Sequence, residues 1–367
     1  MKERNHTFDF LCGICIMRMM CNHAISMCGL RNEHILGITW YELMGWTFFF
    51  MCFFFFKAGY FNKTVSGNSV EYCKDRVKRL LVPYISWSII GAVIFLGFIW
   101  FVPGIYEPGK MVEIKWSHLW ETSHSYGNGP CWFLMSFFTA YIAIHFIEKV
   151  KHLHWIIFLF PFISYWLYTI DSPLWLSLDN VFMGIFFFFL GRVWKVVMQK
   201  LRRTRTIIFS SLLVIVFIIG NIYFHGEYTM STNDWDGNMW GILVNTISIL
   251  CGLSGILLSL PLGRVPVVNY IGEHSMVYFV AHYPLMYLYI FTHKAFGQQF
   301  KHNWGECLIL IALMFIVCTW LVPYVERVPW LSGRWKKKDT SPPLIQWSLH
   351  PLRFPRYRGT ETPKGKD

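Results

Sequence analysis

Charged side chains are scarce in this sequence. Asp, Glu, Lys and Arg together make up 15% of its 367 residues, whereas apolar residues make up 54% and aromatic residues 19%. A typical soluble domain carries about 25% charged residues, so this composition excludes an ordinary soluble protein. Apolar runs of about 18 or more residues recur along the chain, and each is long enough to cross about 30 Å of hydrocarbon. The sequence therefore predicts an all-α, polytopic integral membrane protein.

Several features that often accompany such spans are missing. The first apolar segment begins almost at the N-terminus and has no small-residue cleavage site, so we expect it to be the first span rather than a signal peptide. No internal repeat of the kind found in many transporters is visible, and no appended soluble domain is expected. Residues 1–330 are predicted to form one transmembrane domain, and residues 331–367 a basic, disordered cytoplasmic tail.

The ten cysteines do not suggest a disulfide framework. Nine of them lie in apolar segments, where thiols behave as small hydrophobic groups. The spacing of Cys12 and Cys15 resembles a redox or metal motif, but it lies in a predicted membrane helix without a second ligand pair. We therefore expect no disulfides, no metal site and no bound cofactor.

Hydropathy predicts ten transmembrane helices. Lys and Arg are distributed unevenly between the loops: about 25 lie on the side of the N-terminus and about 5 on the other side. This bias follows the positive-inside rule and predicts that both termini are cytoplasmic. The net charge of +12 is then explained by topology and anionic lipids, not by nucleic acid. The predicted spans are 8–28, 44–61, 83–102, 131–147, 154–170, 180–197, 207–224, 238–260, 275–292 and 305–325.

The predicted outer loops are acidic and aromatic. They include DSPLWLSLD at 171–179, HGEYTMSTNDWD at 225–236 and WSHLWETSHSYGNGP at 116–130. Such loops suit stacking on sugars and hydrogen bonding to them. The alternative interpretation is that Trp and Tyr anchor the helices at the membrane interface and that the loops are merely solvated.

The first span carries polar residues that a membrane helix normally excludes. An ionisable side chain at membrane depth costs roughly 2.5–3.5 kcal/mol on insertion scales, so each of these residues needs a reason. Asp9 and His23 fall on one helical face, whereas Arg18 lies on another. Arg18 is expected either to pair with a carbonyl or a carboxylate in the bundle, or to snorkel to the membrane interface. His23 is either a satisfied core residue or a base that takes a hydroxyl proton near neutral pH.

Cations are concentrated in YCKDRVKRLLVPY at 72–84, next to the third span. Arg76 and Arg79 are three residues apart and are expected to share one helical face, and Lys78 adds charge. Lys57 lies one turn from the cytoplasmic end of the second span, within reach of the same place. These groups suit phosphate binding, although ordinary positive-inside charge gives the same pattern.

The segment IGEHSMVYFVAHYPL at 271–285 is a third polar feature. His282 falls in the middle of a predicted span, two residues before Pro284, which is expected to kink the helix. Tyr278 lies four residues before His282 and therefore on the same face. The segment predicts a polar cavity.

Taken in order, these segments resemble the acyltransferase 3 family of integral membrane proteins over about residues 8–325. One position departs from the family pattern: Cys12 stands where the family has Arg. Lys57 occupies a position that is commonly Ser, and we hypothesise that it supplies the missing positive charge. The matching segments are Asp9-Phe-Leu11-Cys12-Gly13 with His23 downstream, FFFFKAGYF, Arg76-Val-Lys-Arg79, Trp132-Phe133-Leu134 after GNGP, the Phe-rich stretch 186–191, and Ile271-Gly272 with Ser275, Tyr278 and His282.

The resemblance implies an O-acetyltransferase of the inner (plasma) membrane. Its donor would be cytoplasmic acyl-CoA, commonly acetyl-CoA, and its acceptor a hydroxyl of a cell-surface polysaccharide or of its lipid-linked precursor. The residues implied are His23 and Asp9 for catalysis, Arg76, Arg79, Lys78 and Lys57 for CoA binding, and Trp132, Tyr278 and His282 for the acceptor path.

Two other interpretations account for the same polar spans. The chain is a transporter or flippase of a lipid-linked saccharide, or it is a non-catalytic partner in polysaccharide export. Cys12 favours the second of these. Lipids and the two substrates are the expected partners, and the sequence does not predict an oligomeric state.

Overall fold

The computed structural model of the chain describes residues 6–35, 37–62, 68–101, 123–150, 152–172, 174–224, 226–260, 264–298, 300 and 303–335. Within these residues the chain is a bundle of α-helices with two short antiparallel hairpins. The prediction of an all-α membrane fold is confirmed, because eight helical stretches in this part of the chain are long and apolar enough to cross a membrane. Nearly all of the predicted tail lies outside the described residues.

The helices are labelled here in chain order. A π-helical turn at Val77–Leu81 joins α4 to α5, and strands β1 (His34–Ile35), β2 (Ile38–Thr39), β3 (Glu227–Thr229) and β4 (Asp234–Asp236) form the two hairpins. The helices are α1 (His6–Met27), α2 (Trp40–Gly45), α3 (Phe50–Phe61), α4 (Ser69–Arg76), α5 (Val82–Phe101), α6 (Trp132–Lys149), α7 (Phe160–Thr169), α8 (Leu178–Lys200), α9 (Arg203–Tyr223), α10 (Met239–Ser259), α11 (Pro266–Glu273), α12 (Ser275–Ala295), α13 (Trp304–Arg327) and α14 (Pro329–Ser332).

Each of the ten predicted spans falls on a helix, but the number of crossings stays a prediction. The span predicted at 154–170 corresponds to a shorter apolar stretch, Leu153–Thr169. The span predicted at 275–292 is α12, in which tyrosines and histidines dilute the apolar residues. The third span begins earlier than expected, because Ser69–Gly97 is one continuous stretch. The basic cluster therefore lies on this helix and not in front of it.

One face of α9 shows how the bundle meets lipid. The residues Ile208, Leu212, Ile215, Ile219 and Ile222 recur every three or four positions and are each about half exposed or more. This spacing makes a single apolar stripe on the helix surface. A stripe that faces away from the protein and stays apolar is expected where the surroundings are hydrocarbon.

Helices α3 and α8 are held together by a reciprocal pair of glycines. A Cβ on Gly59 would lie 1.7 Å from the carbonyl oxygen of Phe188, and a Cβ on Gly191 would lie 1.9 Å from that of Phe56. Small residues let membrane helices approach closely, so that packing contacts replace the missing hydrophobic driving force. Phe56 and Phe188 are fully buried beside this contact.

Both described ends of the chain lie on one side of the bundle. Nδ2 of Asn269 donates a hydrogen bond to the carbonyl oxygen of His6 at 2.6 Å, and Nη2 of Arg334 donates to that of Glu273 at 3.5 Å. The start of α1 and the residues after α14 therefore meet at α11. We call this side inner and the opposite side, which carries both hairpins, outer, following the charge-based prediction.

Candidate active site

A cavity of about 320 Å³ opens on the outer side, between the end of α1, the start of α6 and strand β3. His23 and Trp132 both line this outer cavity, so two of the predicted site residues share one space. Its volume falls in the range of small-molecule sites, and its mixed lining is typical of them. The remaining polar lining comes from Arg18, Asn22, Arg31, Trp40, Tyr41, Glu227, Tyr228, Thr229 and Ser231.

His23 packs against the other predicted histidine. The rings of His23 and His282 are stacked with centroids 5.3 Å apart, and Tyr283 meets the His23 ring edge-on at the same separation. Nδ1 of His282 lies 2.8 Å from the carbonyl oxygen of Phe279 and 3.1 Å from that of Tyr278. Because carbonyl oxygens only accept, Nδ1 carries a hydrogen. The neutral ring then presents Nε2 as an acceptor.

The Nε2 atom of His282 is buried and has no hydrogen-bond partner among the described residues. Leaving a buried acceptor unsatisfied costs about 1–3 kcal/mol, and such an atom in a folded protein calls for a functional explanation or for solvent. Of the stacked pair, His23 is the member that lines the cavity, so its imidazole is the one that a substrate hydroxyl could reach.

Arg18 adds a fixed positive charge to the same cavity. Its Nε donates to Oγ1 of Thr47 at 3.0 Å, its Nη2 donates to the carbonyl oxygen of Met44 at 3.1 Å, and its guanidinium lies 4.0 Å from the ring centroid of Phe50. The predicted pairing with a carbonyl is found. A guanidinium has five N–H donors, so donors remain for a substrate oxygen. The sequence assigned Arg18 only a pairing role, because on a helical wheel it lies away from His23.

The GNGP motif in front of α6 is folded into the bundle. Gly127 has φ of +68°, and a Cβ there would lie 2.2 Å from the carbonyl oxygen of Gly91 in α5, so this close approach requires glycine. Nδ2 of Asn128 donates to the carbonyl oxygen of Val280 in α12 at 2.9 Å. These contacts fix the start of α6 and with it the position of Trp132 in the outer cavity.

A second cavity, of about 520 Å³, opens on the inner side. Lys57 and Arg76 both line this inner cavity, together with Tyr141. Nζ of Lys57 lies 2.9 Å from Sγ of Cys12. The guanidinium of Arg76 lies 4.4 Å from the ring centroid of Tyr141 and 4.9 Å from that of Tyr72. Two cations and flat aromatic surfaces suit a ligand that carries phosphate and a planar ring.

The other two predicted cations do not line this cavity. The side chain of Arg79 is 52% exposed, and its Nε donates to Oδ1 of Asp75 at 2.8 Å. Lys78 lies over the ring of Trp335, on another part of the surface. The π-helical turn explains the divergence, because it changes the rotation per residue after Arg76. The prediction that Arg76 and Arg79 share one helical face assumed a regular α-helix in this segment.

A layer of phenylalanines lies between the linings of the two cavities. The ring of Phe133 has centroid distances of 5.8 Å to Phe54, 5.1 Å to Phe137 and 5.3 Å to Phe279. Phe54 and Phe137 line the inner cavity, and Phe279 lines the outer one. A group that passes directly between these two linings would therefore move past Phe133.

Asp9 and Tyr278, two further predicted site residues, also lie away from both cavities. Asp9 is buried near the inner end of α1, roughly 21 Å from His23 along the helix axis at 1.5 Å per residue. Tyr278 is fully buried, and its hydroxyl lies 2.7 Å from Oγ1 of Thr319 in α13. Tyr283, rather than Tyr278, is the tyrosine of α12 in contact with His23.

The inner side also holds an ionic cluster that no pattern in the sequence indicated. Nδ1 of His274 lies 2.6 Å from Oε1 of Glu326, and Glu326 also pairs with Arg334. The partners are far apart in the sequence, so no local spacing could reveal them. The cluster ties the end of α13 to the break between α11 and α12, next to Ser275 at the inner cavity.

The cysteines and the candidate metal ligands give simpler results. No disulfide joins any of the ten cysteines, all of which are described. In the part of the chain that the structure covers, no three His, Cys, Asp or Glu residues are grouped so that they could hold a metal ion.

Comparison with known protein families identifies a match for this chain. Residues 5–322 match the acyltransferase domain of the acyltransferase 3 family, which is nearly the whole length of the chain. No protein with curated annotation matches it at a significant level.

Proposed function

The chain belongs to the acyltransferase 3 family and is a membrane acyltransferase, and from that premise we propose that it moves an acetyl or other short acyl group from acyl-CoA to a saccharide hydroxyl. The acceptor would be a cell-surface polysaccharide or its lipid-linked precursor, and the membrane the plasma membrane. The observation that carries the proposal is the stacked pair of His23 and His282 at the wall of an outer cavity that Trp132 also lines.

The proton chemistry follows from this pair. His23 takes the proton of the acceptor hydroxyl as its oxygen attacks the thioester carbonyl carbon. The tetrahedral intermediate collapses with cleavage of the C–S bond, and the proton held by His23 passes to the departing thiolate, so that the products are an ester and free CoA. The stacked His282, held in one tautomer by the two carbonyls, keeps the His23 ring in place.

Arg18 is suited to stabilise the charge that develops on the thioester oxygen. A preorganised cationic donor in a site of low dielectric acts far more strongly than in water. Its contacts with Thr47 and Met44 hold the guanidinium in position before the substrate arrives. Removing one donor of this kind typically costs about 10²–10³ in kcat.

The donor is proposed to bind at the inner cavity. Arg76 and Lys57 would hold the phosphates of CoA, and the ring of Tyr141, which lines the cavity, would flank its flat adenine group. The pantetheine arm must then carry the acyl group past Phe133 to reach His23. Arg79 and Lys78, which the sequence also assigned to CoA, lie outside the inner cavity and would contribute little to this binding.

A covalent route is the second form of the same reaction. In it His23 first accepts the acyl group and then passes it to the acceptor hydroxyl. Rapid quenching of the purified enzyme with labelled acetyl-CoA, in the absence of acceptor, separates the two routes. An acetyl group recovered on His23 supports the covalent route, and an unlabelled protein supports direct transfer.

The decisive experiment is turnover by purified protein in lipid nanodiscs. We expect the wild-type chain to release CoA from acetyl-CoA when de-O-acetylated oligosaccharides of the producing cell are added, and His23→Ala to release none. His34→Ala is the matched control, because His34 lies in the β1–β2 hairpin and lines neither cavity. Saccharide transport without CoA release would favour the flippase interpretation instead.

A further inference from the structure

A third cavity, of about 450 Å³, lies on the outer side, apart from the one that contains His23. It is formed where the loop after α7 and the first turn of α8 meet the β3–β4 hairpin. The two acidic, aromatic loops noted in the sequence, at 171–179 and 225–236, thus line a single space. The cavity lining includes the carboxylates of Asp171, Asp179 and Asp234, and among the residues that the structure describes it includes no Lys, Arg or His.

Asp179 is the residue that marks this cavity as a ligand site. The residue is only 6% exposed. Backbone N–H groups at Leu174 and Asn180 stabilise its carboxylate, but one of the two oxygens, Oδ1, is buried without a hydrogen-bond partner among the described residues. Burying a carboxylate oxygen without a donor is unfavourable. A ligand that brings O–H or N–H donors into the cavity could donate hydrogen bonds to this carboxylate and offset the cost. The lining is therefore suited to such a ligand.

The chemistry of the lining favours a saccharide over a metal ion. Hard cations need several oxygen ligands at one point, and no group of three acidic or other metal-binding side chains comes together in the described part of the chain. Hydroxyls of Thr169 and Ser172 lie beside the carboxylates, and Tyr168 offers a partly exposed ring. A mixture of donors, strong acceptors and one aromatic face suits a polyhydroxylated ring.

The β3–β4 hairpin connects this cavity to the outer one. Tyr228 lines the outer cavity, Asn233 lines the third, and the hydroxyl of Tyr228 donates to Oδ1 of Asn233 at 3.1 Å. Burial raises the pKa of the Tyr228 hydroxyl well above its ordinary value, so it remains a donor. Nδ2 of Asn233 also donates to the carbonyl oxygen of Ser164 in α7. The hairpin is thus a rigid wall with one cavity on each side.

We propose that this third cavity is a second saccharide subsite, which binds a unit of the acceptor chain remote from the one that is acylated. The inference rests on the proposed function and deepens it, because it makes the enzyme selective for a polymer or a long lipid-linked chain. A chain that spans the hairpin would gain affinity from both cavities, whereas a single repeat unit would occupy only the outer one.

The test compares acceptors of different length. Oligosaccharides of one and four repeat units are prepared from the producing cell's own de-O-acetylated surface polysaccharide and offered to the full chain in nanodiscs. We expect Asp179→Asn to leave kcat/KM for the one-unit acceptor within about two-fold of wild type. For the four-unit acceptor we expect a loss of about ten-fold, mainly through KM, which is the size of one hydrogen bond to a charged acceptor.

Two further variants show whether a loss of activity in Asp179→Asn comes from the cavity or from misfolding. Asp234→Asn changes an exposed residue of the same cavity and should give the same pattern, whereas Asp236→Asn, on the same strand but outside the cavity, should leave both acceptors unaffected. Equal losses for both acceptors, or no loss for either, would overturn the proposal.

A binding measurement tests the subsite independently of the proposed acyl transfer. If wild-type protein acylates neither oligosaccharide, binding of the four-unit oligosaccharide is measured by saturation-transfer NMR. Binding that Asp179→Asn loses would support the subsite even without acyl transfer. Equal signals from wild type and Asp179→Asn, including no signal from either, would overturn it.

Discussion

The ammonium of Lys57 lies 2.9 Å from the sulfur of Cys12, with α1 and α3 side by side at the inner cavity. This contact places a positive charge at the position where the family pattern has Arg and this chain has Cys. It supports the hypothesis that Lys57 compensates for the exchange, and it weakens the case that Cys12 marks a non-catalytic relative.

Lys57→Ala should therefore reduce activity. We expect kcat/KM for acetyl-CoA to fall about ten-fold or more, because a charged contact with phosphate is worth about 1.5–3 kcal/mol. Cys12→Ser is the matched control, since it keeps a small polar partner for the ammonium. Full activity of Lys57→Ala in nanodiscs would refute the compensation hypothesis.

Arg76 and Arg79 should differ sharply although they belong to one motif. Arg76→Ala is expected to raise KM for acetyl-CoA about ten-fold or more, because this guanidinium lines the inner cavity. Arg79→Ala should change it by less than about three-fold, because Arg79 is largely exposed and paired with Asp75, and exposed ion pairs contribute little. Similar effects of the two substitutions on KM would contradict the assignment.

Arg18 should act on the rate and not on binding. We expect Arg18→Met to lower kcat about 10²–10³-fold with KM for both substrates nearly unchanged, as for loss of a donor to a developing oxyanion. Arg18→Lys keeps the charge but loses the forked contact with Thr47 and Met44. Its kcat should lie between those of wild type and Arg18→Met. A rise in KM without a fall in kcat would assign Arg18 to substrate binding instead.

Tyr278→Phe should affect stability and leave the reaction intact. Its hydroxyl contacts Thr319 and lines neither cavity, so we expect a loss of about 1 kcal/mol in the free energy of unfolding and no change in KM for the acceptor. Thermal unfolding and acceptor kinetics on the same preparation measure both. A clear rise in KM would restore the sequence-based prediction that Tyr278 lines the acceptor path.

The contact of α3 with α8 offers a test of the fold itself. Gly59→Ala would place a methyl group 1.7 Å from a backbone oxygen, so the helices must separate, and we expect a marked fall in Tm in detergent. Gly97→Ala is the control, because a Cβ there meets nothing within 4 Å. Equal melting temperatures for the two variants would show that the glycine contact is unimportant.

Much of the fold could be predicted from the sequence, because a lipid bilayer restricts the structures that can cross it. Every span needs a long apolar helix, and such runs are visible without any structure. The same restriction singled out polar residues such as His23 and His282 as needing an explanation, and the structure brings their rings together. Helical spacing also pairs Tyr278 with His282, but it could not show that the Tyr278 hydroxyl turns towards α13.

The features that escaped prediction depend on irregular backbone or on distant partners. The π-helical turn at Val77–Leu81 separates Arg79 from Arg76, and no propensity rule locates such a turn. The contact of His274 with Glu326 joins residues 52 positions apart. The convergence of two acidic loops on one cavity likewise depends on how the helices pack, which hydropathy alone does not specify.

The most direct test of the central claim is the acetate that alkali releases from the surface glycan of three strains: wild type, a deletion of this gene, and the deletion complemented with His23→Ala. We predict that acetate falls in the deletion and that His23→Ala fails to restore it to the wild-type level. Equal acetate in all three strains would contradict the account, because neither the chain nor His23 would then be needed for acylation of that glycan.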